Sequence, residues 1–281
     1  MSSLIKKIFS YLFKFIGIVI IFAVICYLIL YFFTTPSNDR PWAKDMAVMS
    51  SATVNGNLVN LKNVRDIKYR DILDYDLNYY DETYDLSKID SAYLFTDPFG
   101  RLSAHTMMGF EFSDGKKVVL SVEVRREAWE WFSGVKGLLR QYEIIYVWAA
   151  ETDVVKLRTN FRKDAVYMYK MDMAKENITK LFLEAVKRTN DLYEKPEYYN
   201  TLINNCTTNL INQLQKVYDK KIIWNWEYLV PSYAEQLGID YDLITNGKTI
   251  EEVRRNSNIS SKALECGECE NYSENIRNIF K

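Results

Sequence analysis

Residues 15–33 form an apolar run without one charged side chain, and this run fixes the compartment of everything after it. At about 1.5 Å of rise per residue, a helix over the run crosses the ~30 Å hydrocarbon core of a bilayer. Lys6, Lys7 and Lys14 precede it, whereas the flank after it stays uncharged up to Asp39 and Arg40. Positive charge on the near side puts residues 1–14 in the cytoplasm and the remainder outside. The competing reading is a cleaved signal peptide, which needs a shorter apolar core and a small-x-small cleavage site. The run ends instead on bulky Tyr31, Phe32 and Phe33, and Cys26 lacks the small neighbours of a lipid-attachment site. A permanent transmembrane anchor at 15–33 is expected. It carries an extracytoplasmic domain over 40–245 and a polar C-terminal tail over 246–281.

Charge excludes one class of partner. Lysine and arginine total 36 against 37 aspartate and glutamate, a net charge of −1 with no nucleic-acid footprint. Beyond the anchor the cysteines are Cys206, Cys266 and Cys269. In an oxidising compartment Cys266 and Cys269 are placed to close a small disulfide. A redox motif would open a helix after a strand, and a zinc site would want more ligands, so the tail position favours the disulfide over both. No metal or other cofactor is implied. The pairing leaves Cys206 as an unpaired, potentially reactive thiol.

Periodicity predicts short strands near 52–54, 59–61, 64–69, 90–96, 142–149 and 165–171. The clearest hairpin joins 106–112 to 117–124 through Ser113, Asp114, Gly115 and Lys116. A short helix is expected over 153–161. A longer one over 175–193 lines up Ile178, Leu181, Phe182, Ala185, Val186, Leu192 and Tyr193 on one face and stops at Pro196. Another over 206–218 turns Leu210, Ile211, Leu214 and Val217 inward, and a shorter helix follows Pro231. After Lys248 the chain reads as polar and peripheral. The fold class is α+β, an antiparallel sheet with packed helices, preceded by one transmembrane helix.

His105 is the single histidine of the chain, and it lies in an apolar strand. Cys206 follows Asn205, a favoured N-cap residue, and so takes the first position of a helix. Open amides and the positive dipole end there favour a thiolate. The same amides, or the side chains of Asn204 and Asn205, are candidate donors to an oxyanion. His105 is the available base, and Cys206 the nucleophile. With the turn centred on Asp114 and Gly115, Thr106 and His105 fall roughly opposite Glu123 and Val124. Ser121, Glu123 and Arg125 share a strand face, with Glu123 the best orienter of the imidazole and Ser121 the reserve. The plainer explanation is a hydrogen-bonded core histidine and a packing cysteine.

The chain resembles the family named for the Lnb N-terminal periplasmic domain, over most of 40–214. The resemblance is carried by Asn63-Val-Arg-Asp-Ile-Lys-Tyr69, Ala104-His-Thr-Met-Met-Gly-Phe110, Ser121-Val-Glu-Val-Arg125 and Gly137-Leu-Leu-Arg-Gln-Tyr-Glu143. It continues through Glu151-Thr-Asp153 with Leu157-Arg158, and its most specific part is Tyr198-Tyr-Asn-Thr-Leu-Ile-Asn-Asn-Cys-Thr-Thr208. The resemblance implies a bacterial inner-membrane protein with a periplasmic domain that moves an acyl chain from phospholipid to the N-terminal amine of a lipoprotein. The order of histidine before cysteine is also similar to permuted papain-like enzymes of the NlpC and lecithin:retinol acyltransferase kind. Carried over, His105 is the base, Glu123 (or Ser121) the orienter and Cys206 the nucleophile, with Asn204, Asn205, Ser121 and Arg125 as oxyanion or site support. Arg125, Arg140, Glu151, Asp153 and Arg158 are read as ion pairs that fix the site or as a basic lip for phosphate headgroups, with structural pairing expected.

Three functions compete: a membrane-tethered cysteine acyltransferase acting on phospholipid, a papain-like amidase or peptidase acting on peptidoglycan, and a non-catalytic cell-envelope binding domain.

Overall fold

A computed structural model describes residues 3–100, 103–218, 220–223, 233–244, 247 and 249–280. Helix α1, Ser3–Phe33, stands apart from the domain, and its stretch Ile5–Phe33 is long and apolar enough to cross a membrane. The helix begins before the apolar run and carries Lys6, Lys7 and Lys14 on its first turns.

The domain is built on an eight-stranded sheet. Strands β1 (Ser51–Asn55) and β2 (Leu58–Arg65) are followed by a small separate hairpin of β3 (Lys68–Tyr69) and β4 (Tyr75–Asp76). Then come β5 (Tyr79–Asp85), β6 (Ile89–Pro98), β7 (Ala104–Phe112) and β8 (Lys117–Arg125). A short helix α2 (Gly134–Leu138) leads to β9 (Glu143–Ala149), and α3 (Glu151–Lys156) runs into a π-type turn at Leu157–Phe161 before β10 (Tyr167–Lys170). The order is β1-β2-β9-β8-β7-β6-β10, with β5 also on β2. Pairing is antiparallel except where Arg65 of β2 meets Ala149 of β9 in parallel.

Among the strands of the main sheet, β5 is the one that periodicity does not reveal. It carries Asp81, Glu82 and Asp85, is half exposed, and pairs only with β2. An edge strand with one neighbour has no continuous apolar face to read.

The core lies between the sheet and α4 (Lys175–Glu194), where Phe182 packs against Tyr84, Phe110, Phe112 and Trp148. The predicted inward face of α4 is buried apart from Tyr193, which is exposed at the last turn. Helix α5 (Cys206–Val217) buries Leu210, Ile211, Leu214 and Val217 as its spacing predicts. Pro231 itself lies outside the described residues, and α6 covers Ala234–Asp240 beyond it.

The tail is not a polar periphery. Although Lys248 is outside the described residues, α7 (Ile250–Ser257), α8 (Ser260–Cys266) and α9 (Tyr272–Ile276) bury Val253, Ile259, Ala263, Tyr272 and Ile276. Arg277 holds Glu151 with both terminal nitrogens. A few apolar residues in a polar sequence suffice because they fall on the inner faces of short helices. Cys266 and Cys269 form a disulfide at the end of α8.

The β7–β8 hairpin sets the site. Phe112 and Lys116 close it over Ser113, Asp114 and Gly115, with Gly115 at φ 89°. This three-residue loop pairs Met107 with Ser121, one residue off the register that a turn centred on Asp114 and Gly115 implies. Continued along the strands, it sets His105 against Glu123, not Val124.

Candidate active site

Helix α5 begins with a reciprocal cap. Asn205 Oδ1 accepts from the Thr208 amide at 2.9 Å, and Thr208 Oγ1 accepts from the Asn205 amide at 2.9 Å. Asn205 Nδ2 donates to Thr201 O, while Asn204 donates to Tyr198 O and accepts from Asn209 Nδ2. Both asparagine side chains are therefore committed to shaping the turn and are not free for an oxyanion. The donors left at the helix start are the amides of Cys206 and Thr207, which have no acceptor one turn earlier.

Cys206 is buried, with Sγ 4.0 Å from Ala104 O and 3.9 Å from Thr207 Oγ1. Ala104 begins β7, so the thiol meets the strand one residue from His105. Cys206, His105, Glu123, Arg158 and Tyr199 line one cleft of about 290 Å³. Burial pushes the thiol up, but hydrogen bonding and charge from His105 outweigh it, and its pKa is lowered to about 7.

His105 Nε2 lies 2.7 Å from Ser121 Oγ and 3.3 Å from Glu123 Oε1. Ser121 donates to Glu123 Oε1 at 2.6 Å. With its own proton directed to the carboxylate, Ser121 can only accept from His105, so Nε2 carries a proton and Nδ1 is the atom left to exchange one with the thiol. Burial is the largest influence and depresses the imidazole, yet the Glu123 charge together with hydrogen bonds to Cys206 and Glu123 outweighs it and raises the pKa to about 9. Burial likewise works against the Glu123 carboxylate, but the charges of His105 and Arg158 hold it well below the usual range. A thiolate–imidazolium pair is the favoured state between these two values.

Arg158 closes the far side. It donates to Glu123 Oε1 at 3.0 Å and to Val154 O at 2.7 Å, and its Nε stands 3.2 Å from Asp97 Oδ2. Asp97 is paired with His105 across β6 and β7. It is the site residue that pattern reading passes over, and its signal is a single acid at the end of an apolar run. Arg125, expected near the site, is instead turned to the juxtamembrane segment. It bonds Met46 O and Ala47 O and stacks on Trp42. Arg65 pairs with Asp153 and Arg277 with Glu151, so those acids are structural.

A second, apolar cavity of about 40 Å³ lies on the other side of Thr106 and Thr207, whose hydroxyls are 3.3 Å apart. Leu94, Leu210, Leu214, Leu237 and Ile244 line it. Among the described residues, no group of three or more His, Cys, Asp or Glu side chains is placed to hold a metal ion.

Residues 75–231 match the family described as the Lnb N-terminal periplasmic domain. The chain belongs to that family. The match contains His105, Ser121, Glu123, Arg158 and Cys206, and it begins later than the stretch at 63–69 that also carries the resemblance. As an Lnb N-terminal periplasmic domain on a single N-terminal apolar helix, the chain fits a membrane-associated periplasmic protein. Neither curated proteins nor solved structures give a match to it.

Proposed function

We propose that this protein is a membrane-tethered cysteine acyltransferase, anchored in the inner membrane with its N-terminus inside. The observation that carries the reading is the Cys206–His105 pair, backed by Ser121, Glu123 and Arg158 at the open start of α5. Cys206 Sγ attacks the ester carbonyl of a phospholipid, and the amides of Cys206 and Thr207 receive the oxyanion. His105 gives its proton to the departing glycerol oxygen, which leaves a lysophospholipid and an acyl thioester on Cys206. An amine, such as the N-terminus of a lipoprotein, then attacks the thioester carbonyl. His105 takes the amine proton, and the thiolate departs. The order of histidine strand, partner strand and cysteine helix is that of permuted papain-like enzymes and supports the same roles. Tethering to a membrane favours a lipid donor and keeps donor and lipoprotein acceptor at high local concentration.

The charged cleft around Cys206, with Asp45, Arg126, Arg158 and Arg162 on its walls, favours a second reading, an amidase or peptidase acting on peptidoglycan. Intact mass spectrometry after incubation with phospholipid separates the two. The acyltransferase gains a fatty-acyl increment that hydroxylamine removes and Cys206→Ser abolishes. No increment, together with cleavage of peptidoglycan peptides that requires Cys206, would replace it with the second reading.

A further inference from the structure

Apart from Phe99 of the β6–β7 connection, the exposed apolar side chains near the cleft come from two segments. Trp129, Trp131, Phe132 and Val135 lie between β8 and β9, and Leu202 and Ile203 lie in the turn before α5. Thr201 Oγ1 donates to Gly134 O at 2.7 Å, and Tyr199 and Thr201 close so tightly on Gly137 that no side chain fits there. The two segments therefore lie side by side and form one lip. Phe132 and Tyr199 both line the cleft that holds Cys206, so the lip borders the thiol. Trp131 is 77% exposed and Ile203 68%. Soluble surfaces seldom leave such clusters uncovered.

The same lip is fastened to the end of α1. The Arg140 guanidinium sits between the rings of Tyr31 and Tyr198, at 4.2 and 4.6 Å, and its Nη1 donates to Tyr31 O at 2.9 Å. Ala128 donates to Pro41 O at 3.0 Å, and the Ser37 amide donates to Glu143 at 3.0 Å. Tyr31 belongs to the last turn of the apolar helix, so these ties hold the lip at the depth where that helix leaves the bilayer. Tryptophan favours that interface, because its ring is apolar and its N–H is polar.

We propose that the lip formed by Trp129, Trp131, Phe132, Val135, Leu202 and Ile203 dips into the outer interface of the bilayer that holds α1, so that the cleft of Cys206 opens onto lipid. The docking rests on the membrane anchor and deepens the acyl-transfer reading by giving the donor lipid a route of entry.

The test uses the full chain in phosphatidylcholine vesicles, with lipid brominated near the glycerol end of its acyl chains as a quencher of tryptophan emission. The difference spectrum between wild type and W129F/W131F isolates the two indoles of the lip. Bromine is expected to quench that difference by half or more. A difference spectrum that bromine leaves unchanged overturns the lip, including the case in which the emission is already blue-shifted because a second copy or another protein covers the indoles. Because the readout involves no reaction, a quenched difference without thioester formation keeps the lip and removes only the acyl-transfer reading.

Discussion

Arg158 donates to Glu123 Oε1, the same oxygen that accepts from Ser121 and lies 3.3 Å from His105 Nε2. With its Nε facing Asp97, one buried guanidinium offsets two carboxylates. Arg158→Met leaves Asp97 without its cation and Glu123 with His105 alone, and removing one partner of a buried ion pair costs about 3–5 kcal/mol. The expected outcome is a marked fall in the urea midpoint. An unchanged midpoint would show that Glu123 and Asp97 find other partners.

His105 is the group that keeps the thiol ionised against burial. In His105→Gln that support is gone and burial is opposed only by the hydrogen bonds from Thr106 and the helix start, so the thiol pKa rises. Alkylation of Cys206 by iodoacetamide at pH 7.5, followed on the peptide by mass spectrometry, is expected to slow at least tenfold. Equal rates would mean that the helix start alone activates the sulfur.

The pH profile has two limbs with defined signs. The thiolate forms as pH rises through about 7, and the imidazolium is lost as pH rises through about 9. In the proposed reaction thioester formation needs both, so its rate is expected to climb through the first value and decline through the second. Glu123→Gln removes the charge that raises His105, so the declining limb moves to lower pH by a unit or more. A declining limb that stays in place in this variant would assign it to another group.

Asn205→Ala removes the side chain that caps α5 and ties Thr201. Cap removal costs about 1 kcal/mol, and the loosened turn lets Cys206 and the open amides drift from His105. Thermal unfolding should report the first effect. A loss of Cys206 reactivity larger than that stability change should report the second. If reactivity is untouched, the cap serves folding alone.

Much of this site is legible in the sequence. A lone histidine in an apolar strand, a polar alternation on the next strand and a capped cysteine are each local signals, and Ser121 and Glu123 follow from strand alternation. Arg158 and Asp97 are less visible because their roles depend on which elements the π-type turn and β6 bring together, and spacing does not record that. Arg125 shares a strand face with Glu123, yet its long side chain reaches the backbone of Met46 and Ala47 instead. The C-terminal helices are hidden for another reason. Their five buried residues, Val253, Ile259, Ala263, Tyr272 and Ile276, are too sparse to show a period.

The three-residue loop of Ser113, Asp114 and Gly115 lies roughly 27 Å along the strand from His105 at about 3.4 Å per residue. Side chains alternate, so the loss or gain of one residue in that loop would slide β8 by one place and carry Ser121 and Glu123 to the opposite face. His105 and Cys206 would remain in position with nothing behind them. Among relatives of this chain, insertions in the 113–115 loop should come in pairs or be absorbed by a bulge before residue 121. Lone single-residue changes there would mark copies that keep the histidine and cysteine but have lost the Ser121 and Glu123 backing.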